Sequence, residues 1–126
     1  MSDDTYERGL RVRREVLGDE HVDRAIEGTT EHTAAFQDFI TRYAWGDIWS
    51  RSELARRDRS IATLAALVTL GAEDELAMHI RAARRNGLAD NEIVEVLMHC
   101  ALYAGLPRAN RAMAIATQVF AESASM

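Results

Sequence analysis

A single cysteine, Cys100, rules out an internal disulfide and fits a reducing compartment. Only one proline occurs, glycines are scattered, and aromatic residues make up 6% of the chain. β-Branched residues are also sparse beside the abundant alanine and leucine, which disfavours strands. Positive charge is not in excess: the net charge is −5, so a nucleic-acid partner is disfavoured. Lysine is absent, and all fifteen basic residues are arginine, ten of them before residue 60. The longest apolar stretch, Ile61–Ala72, is too short to span a bilayer. Residues 1–10 are acidic and polar, without the order of a signal peptide. These absences predict a soluble, cytoplasmic protein of one domain covering 1–126.

What is present reads as helix throughout. A first helix in residues 1–20, anchored by Leu10, Val12 and Leu17, should stop at Gly18. A second is expected from Val22 to Ala44, with a break near Gly28 and with Ile26, Phe36, Phe39, Ile40 and Tyr43 as its apolar positions. Trp45–Arg51 reads as an aromatic-rich loop. Ser52 looks like the N-cap of a third helix ending at Leu70, with Gly71 as its C-cap. Its Ile61–Leu70 portion is apolar nearly all round, as in a core or an oligomer interface. A fourth helix should span Glu73–Asn86 and stop at Gly87. A fifth, N-capped by Asp90 or Asn91, should run to Ala104, with Gly105 following. Pro107 suits the first turn of a sixth. The expected fold is an all-α bundle of about six helices, mostly antiparallel pairs joined by short loops.

The fifth helix carries the chemistry-bearing pattern. Ile93, Leu97, Cys100, Ala101 and Ala104 make an apolar side, while Glu92, Glu95, His99 and Tyr103 fall in one stripe. That stripe either faces water or lines a buried polar pocket. His79, between Leu76 and Ala83 on the core-facing side of the fourth helix, is a core histidine or a general acid–base. No two of the four histidines have i, i+4 spacing, so no metal site is expected. Cys100 reads as a small buried hydrophobe.

The stretch Trp45-Gly46-Asp47-Ile48-Trp49-Ser50-Arg51, then Leu54 and Arg56-Arg57-Asp58-Arg59-Ser60, resembles the γ-carboxymuconolactone decarboxylase family. So do Glu75–Ala83 followed by Asn86-Gly87, and Glu92–Leu97 followed by Tyr103-Ala104-Gly105-Leu106-Pro107 and Asn110. The opening pattern of Gly9, Arg11, Arg14, Val16 and Leu17-Gly18 fits as well, so the resemblance covers nearly the whole chain. It implies an alkylhydroperoxidase D-like fold assembled into trimers or hexamers. It also implies cofactor-free conversion of 4-carboxymuconolactone into β-ketoadipate enol-lactone and CO₂, in the protocatechuate branch of the β-ketoadipate pathway. The related alkylhydroperoxidase D-type proteins use a Cys-x-x-Cys pair. Here that region reads Cys100-Ala101-Leu102-Tyr103, which lacks the second thiol that a two-cysteine mechanism needs.

Arg51 follows the aromatic stretch and Arg59 leads into the apolar helix; an arginine buried there needs an anionic partner, which is either Asp58 or Glu53 or a substrate carboxylate held by one of the two, with Trp45, Trp49 and Tyr103 also expected to bind substrate. His79, with which the resemblance agrees, is the favoured proton donor. Glu95 would orient its imidazole, and His99 or Tyr103 would hydrogen-bond the lactone oxygen. The geometric premise is that the fourth and fifth helices, so closely linked, pack side by side with His79 and Glu95 at similar heights. The alternative is a non-decarboxylating relative, either a one-cysteine redox protein or an oligomeric stress-response protein.

Overall fold

The computed structural model describes residues 4–124, which form helices and no strand. They divide into two compact units, Met1–Ala55 and Arg56–Met126.

In the first unit, helix α1 (Asp4–Leu17) has Asp4 and Glu7 in its first turn and Arg14 in its last, matching the helix dipole. Gly9, Val12, Arg13, Val16 and Leu17 are its buried residues, an i, i+3, i+4, i+7, i+8 stripe with a guanidinium at one core position. Gly18 ends it, as expected, at φ 92°. Helix α2 (Asp19–Glu27) follows at once, and Arg14 ties the two together by pairing with Asp19 and Asp23 at 3.1 and 2.9 Å.

The single helix expected over Val22–Ala44 is interrupted across 28–33, where the Thr33 hydroxyl accepts from the Thr30 N–H at 2.9 Å. The break lies where Gly28 suggested it. Helix α3 (Ala34–Ile40) then winds into a π-helical segment, Thr41–Ile48. Trp45–Ile48 is therefore helical rather than loop, and the Trp49 N–H reaches back five residues to the Ala44 carbonyl at 2.8 Å. Splitting the second helix raises the number of α-helices among the described residues to seven. Its apolar positions also point the other way: Ile26, Phe36, Phe39 and Tyr43 are exposed and Ile40 is half-buried. Phe36, Phe39 and Tyr43 instead form a surface ladder, with ring centroids 6.5 and 5.4 Å apart.

The wider π winding brings Thr41, Trp45 and Gly46 inward, and the segment packs closely on α1. The contact is backbone against backbone. A Cβ on Gly9 would lie 2.0 Å from the Thr41 carbonyl oxygen, and one on Gly46 would lie 2.6 Å from that of Thr5. Glycine at both positions lets the helices approach this closely. The Arg8 Nε–H donates to the Gly46 carbonyl at 2.9 Å across the same crossing.

The second unit is a four-helix bundle of α4 (Arg56–Leu70), α5 (Glu73–Arg85), α6 (Asp90–Ala104) and α7 (Leu106–Ala124). Helix α4 starts at Arg56, not after Ser52, and Asp58 supplies the acid of its first turn. Ser60, Leu64 and Val68 face its core, whereas Leu70 is exposed. Gly71 and Gly87 close α4 and α5 at φ 71° and 102°. Each closure is a Schellman motif: Ala72 N–H to Leu67 O and Leu88 N–H to Ala83 O, both at 3.0 Å. Leu88 is buried, so the chain leaves α5 through the core. Helix α6 is capped at Ala89, one residue earlier than expected, because Glu92 reaches back to accept the Ala89 N–H at 2.9 Å. Asp90 is held instead by Arg84, at 2.9 and 3.2 Å. Pro107 stands in the first turn of α7 as expected.

The bundle order departs from chain order. Helices α4 and α7 each pack on both α5 and α6, while α5 and α6 barely meet. Consecutive helices α5 and α6 thus occupy a diagonal. The short link tolerates this because Gly87 at positive φ turns the chain and Leu88 dives into the core.

Candidate active site

His79 sits on α5 with 8% of its surface exposed. Leu76, Ile80 and Ala83, its neighbours on that face, are buried members of the core formed by α4 to α7. The helix pattern is responsible, since positions 76, 79, 80 and 83 share one side at 100° per residue. An imidazole in such surroundings meets little water.

The stripe on α6 resolves differently along its length. Glu92 is part of the architecture. Its carboxyl is held below the usual carboxylate range, first by the Ala89 N–H and then by Arg57. Arg57 pairs with it directly and so ties α4 to α6. Glu95, His99 and Tyr103 are exposed, Tyr103 at 77%. The rings of His99 and Tyr103 lie 5.4 Å apart between centroids, so these two are brought together on the surface. The premise that α5 and α6 stand side by side is corrected by their diagonal placement. His79 is buried and Glu95 is exposed, on helices that scarcely touch.

Arg59 is half-buried in the first turns of α4. The adjacent Ser60 is buried, and its hydroxyl accepts from the Asn86 side-chain amide at 2.9 Å, linking the start of α4 to the end of α5. Spacing gave no sign of this contact, although both residues lie within the quoted motifs. In the first unit, Trp45 and Trp49 are buried with ring centroids 5.3 Å apart, and Arg51 is exposed beyond them.

Cys100 is 5% exposed within the core of the second unit. Burial pushes its thiol above the ordinary value. A redox or nucleophilic cysteine needs the reverse, an accessible thiolate. The one-cysteine redox alternative therefore loses its chemical basis. No group of His, Cys, Asp and Glu suited to a metal occurs among the described residues. Among them, too, no helix is long and apolar enough to cross a membrane.

The chain is 51% identical over 115 residues to the 4-carboxymuconolactone decarboxylase of Acinetobacter baylyi, covering 91% of this chain and 86% of that protein. It is 39% identical over 110 residues to the nitrosuccinic acid decarboxylase of Metarhizium robertsii, covering 87% and 77%. A 42-residue match to the 4-carboxymuconolactone decarboxylase of Pseudomonas putida reaches 52% identity, over 33% of this chain and 88% of the relative. Residues 34–118, which contain His79, Arg59, the α6 stripe and both tryptophans, match the Carboxymuconolactone decarboxylase family as a whole. By that match, and by near full-length identity to its members, the chain belongs to the carboxymuconolactone decarboxylase family.

Proposed function

We propose that this protein is a carboxy-lyase that converts 4-carboxymuconolactone into β-ketoadipate enol-lactone and CO₂. The observation that carries this is the 51% identity, over 91% of the chain, to a 4-carboxymuconolactone decarboxylase.

The chemistry explains why side chains suffice. The departing carboxylate sits on a ring carbon conjugated through a double bond to the lactone carbonyl. When that carbon–carbon bond breaks, its electron pair moves through the ring onto the carbonyl oxygen and CO₂ leaves. The resulting dienolate takes one proton at the carbon next to the carbonyl, which gives the enol-lactone. The protein must bind two carboxylates, stabilise the oxyanion and supply that proton. We assign the proton to His79, whose apolar surroundings keep water from competing for the dienolate. A proton from water then restores the imidazole. Arg59 and Arg51 are assigned to carboxylate binding, with Trp45, Trp49 and Tyr103 as apolar or hydrogen-bonding contacts. His99 and Glu95 share the exposed stripe of α6, diagonal to α5, and are given no part in the step at His79.

The test is direct. Purified protein mixed with 4-carboxymuconolactone should release one CO₂ per lactone consumed, without added cofactor. Absence of CO₂ with folded protein would refute the reading. The relative from Metarhizium robertsii supports a second substrate class. Loss of CO₂ from the nitro-bearing carbon of nitrosuccinate leaves a nitronate, again an anion delocalised onto oxygen. Side-by-side assays of the two acids decide which one the site prefers.

The expected homo-oligomer, a trimer or hexamer, is supported by exposed Leu70, Met98, Leu102, Tyr103 and Leu106 on the second unit. Sedimentation at micromolar concentration tests it, and a stable monomer would refute it. A cytoplasmic location accords with the single buried thiol, and so does the pathway the lactone belongs to.

A further inference from the structure

The first unit contains an open cleft of about 1120 Å³ lined by none of the residues assigned to the decarboxylation. Its lining comes from α1, the end of α2, α3 and the start of the π-helical segment. Arg13 lines it from a core position on α1 and is only 7% exposed. Its terminal nitrogens donate to the Thr41 hydroxyl at 3.3 Å and to the Gln37 side-chain oxygen at 3.2 Å. Both acceptors are neutral. The Arg13 Nε is buried with no hydrogen-bond partner among the described residues. A guanidinium has five N–H donors, and two are used here.

A buried cation held only by neutral groups is costly, and the cost falls when an anion is seated against it. The other lining charges limit what that anion can be. Asp38 is already paired with Arg42 at 2.9 Å, and Glu7 is an exposed carboxylate on the same lining. One further negative charge is therefore accommodated better than two. Leu10, Ile26, Ala34 and Ala35 offer apolar contact for the rest of a ligand. We propose that this cavity is a second binding site, separate from the decarboxylation chemistry, for a small monocarboxylate with a flat apolar body. Its carboxylate accepts the second N–H of each terminal nitrogen of Arg13 while its body packs on Ile26, Ala34 and Ala35. The volume is ample for a ligand of this class.

Benzoate is the probe. Calorimetric titration of the full-length protein measures its binding, and hydrogen–deuterium exchange locates it. Protection is expected in peptides covering 6–14 and 34–42, which separates this site from carboxylate binding around His79. Arg13→Met removes the charge while keeping much of the volume, and should weaken benzoate about 10- to 100-fold, the usual loss for charge-assisted hydrogen bonds. Ala35→Phe fills the cavity from an exposed position without touching Arg13 and should abolish binding even if the Arg13 variant fails to fold. Succinate, a dianion, should protect 34–42 less than benzoate does. The proposal is overturned if benzoate leaves 34–42 unprotected, or if both variants bind it as the parent does. It is also overturned if Arg13→Met changes the assembly state while the parent binds no benzoate, because the anion would then be a carboxylate of a second copy.

Discussion

Gly9→Ala tests whether the crossing of α1 with the π-helical segment is as tight as its geometry requires. The added methyl would lie 2.0 Å from the Thr41 carbonyl oxygen, whereas ordinary contact begins at 3.4 Å. The obstructing atom is backbone, so no side chain can swing aside. The helices must part by more than about 1 Å, a repacking that typically costs about 1–3 kcal/mol. Parting also strains the Arg8 bond to the Gly46 carbonyl, which contributes about 0.5–1.5 kcal/mol. Alanine returns about 1 kcal/mol through its higher helix propensity. The net loss is about 0.5–3.5 kcal/mol. For a chain of this length, that lowers the melting temperature by roughly 2–14 °C. Thermal unfolding by circular dichroism at fixed protein concentration measures it, since assembly makes the midpoint concentration-dependent. Gly28→Ala is the control: Gly28 is exposed, has φ −82°, and its Cβ would come no nearer than 3.3 Å to any atom. It should stay within about 0.5 kcal/mol of the parent. A Gly9→Ala protein as stable as the parent would refute the close-crossing argument. So would a Gly28→Ala protein destabilised to the same degree.

His79→Ala should lower kcat by about 10²–10⁴-fold with a much smaller change in KM, the usual cost of losing a positioned acid; near-normal kcat removes His79 from the chemistry. Arg51→Ala and Arg59→Ala should raise KM in steady-state assays, and unchanged kinetics in both would dismiss arginine anchoring. Cys100→Ala should keep most of its activity and lose about 1 kcal/mol of stability, as for a small buried side chain in the core; a collapse in turnover with the fold intact would revive a thiol mechanism. Glu92 has its folded pKa lowered, so its contribution to stability is full above the ordinary glutamate value and is lost as pH falls through the lowered one. Melting temperature should therefore drop below about pH 4 more steeply in the parent than in Glu92→Gln, and parallel curves would show that the cap and the Arg57 pair are energetically idle.

Local rules written in the sequence carried far. Composition excluded strands, and Gly18, Gly71, Gly87 and Gly105 marked helix ends because the positive φ found at each is one that glycine adopts without strain. The core face of α6, Ile93 to Cys100, followed from the 3.6-residue period, and so did the burial of His79. These features depend only on residues within a few positions of one another.

Tertiary structure decided the rest. The apolar spacing of Phe36, Phe39 and Tyr43 marks a helix face but not the direction in which that face points, and the buried side proved to be that of Thr41, Trp45 and Gly46. Glycines 9 and 46 look unremarkable until two backbones, 37 positions apart in sequence, meet over them. In the sequence Arg13 is one of fifteen arginines, and only the packing of α1 places it at a core position beside Thr41 and Gln37. Most consequential is the diagonal of α5 and α6. A short link predicts side-by-side packing, but which helices become neighbours depends on burying apolar area in all four at once. That is a property of the whole bundle, and no local pattern encodes it.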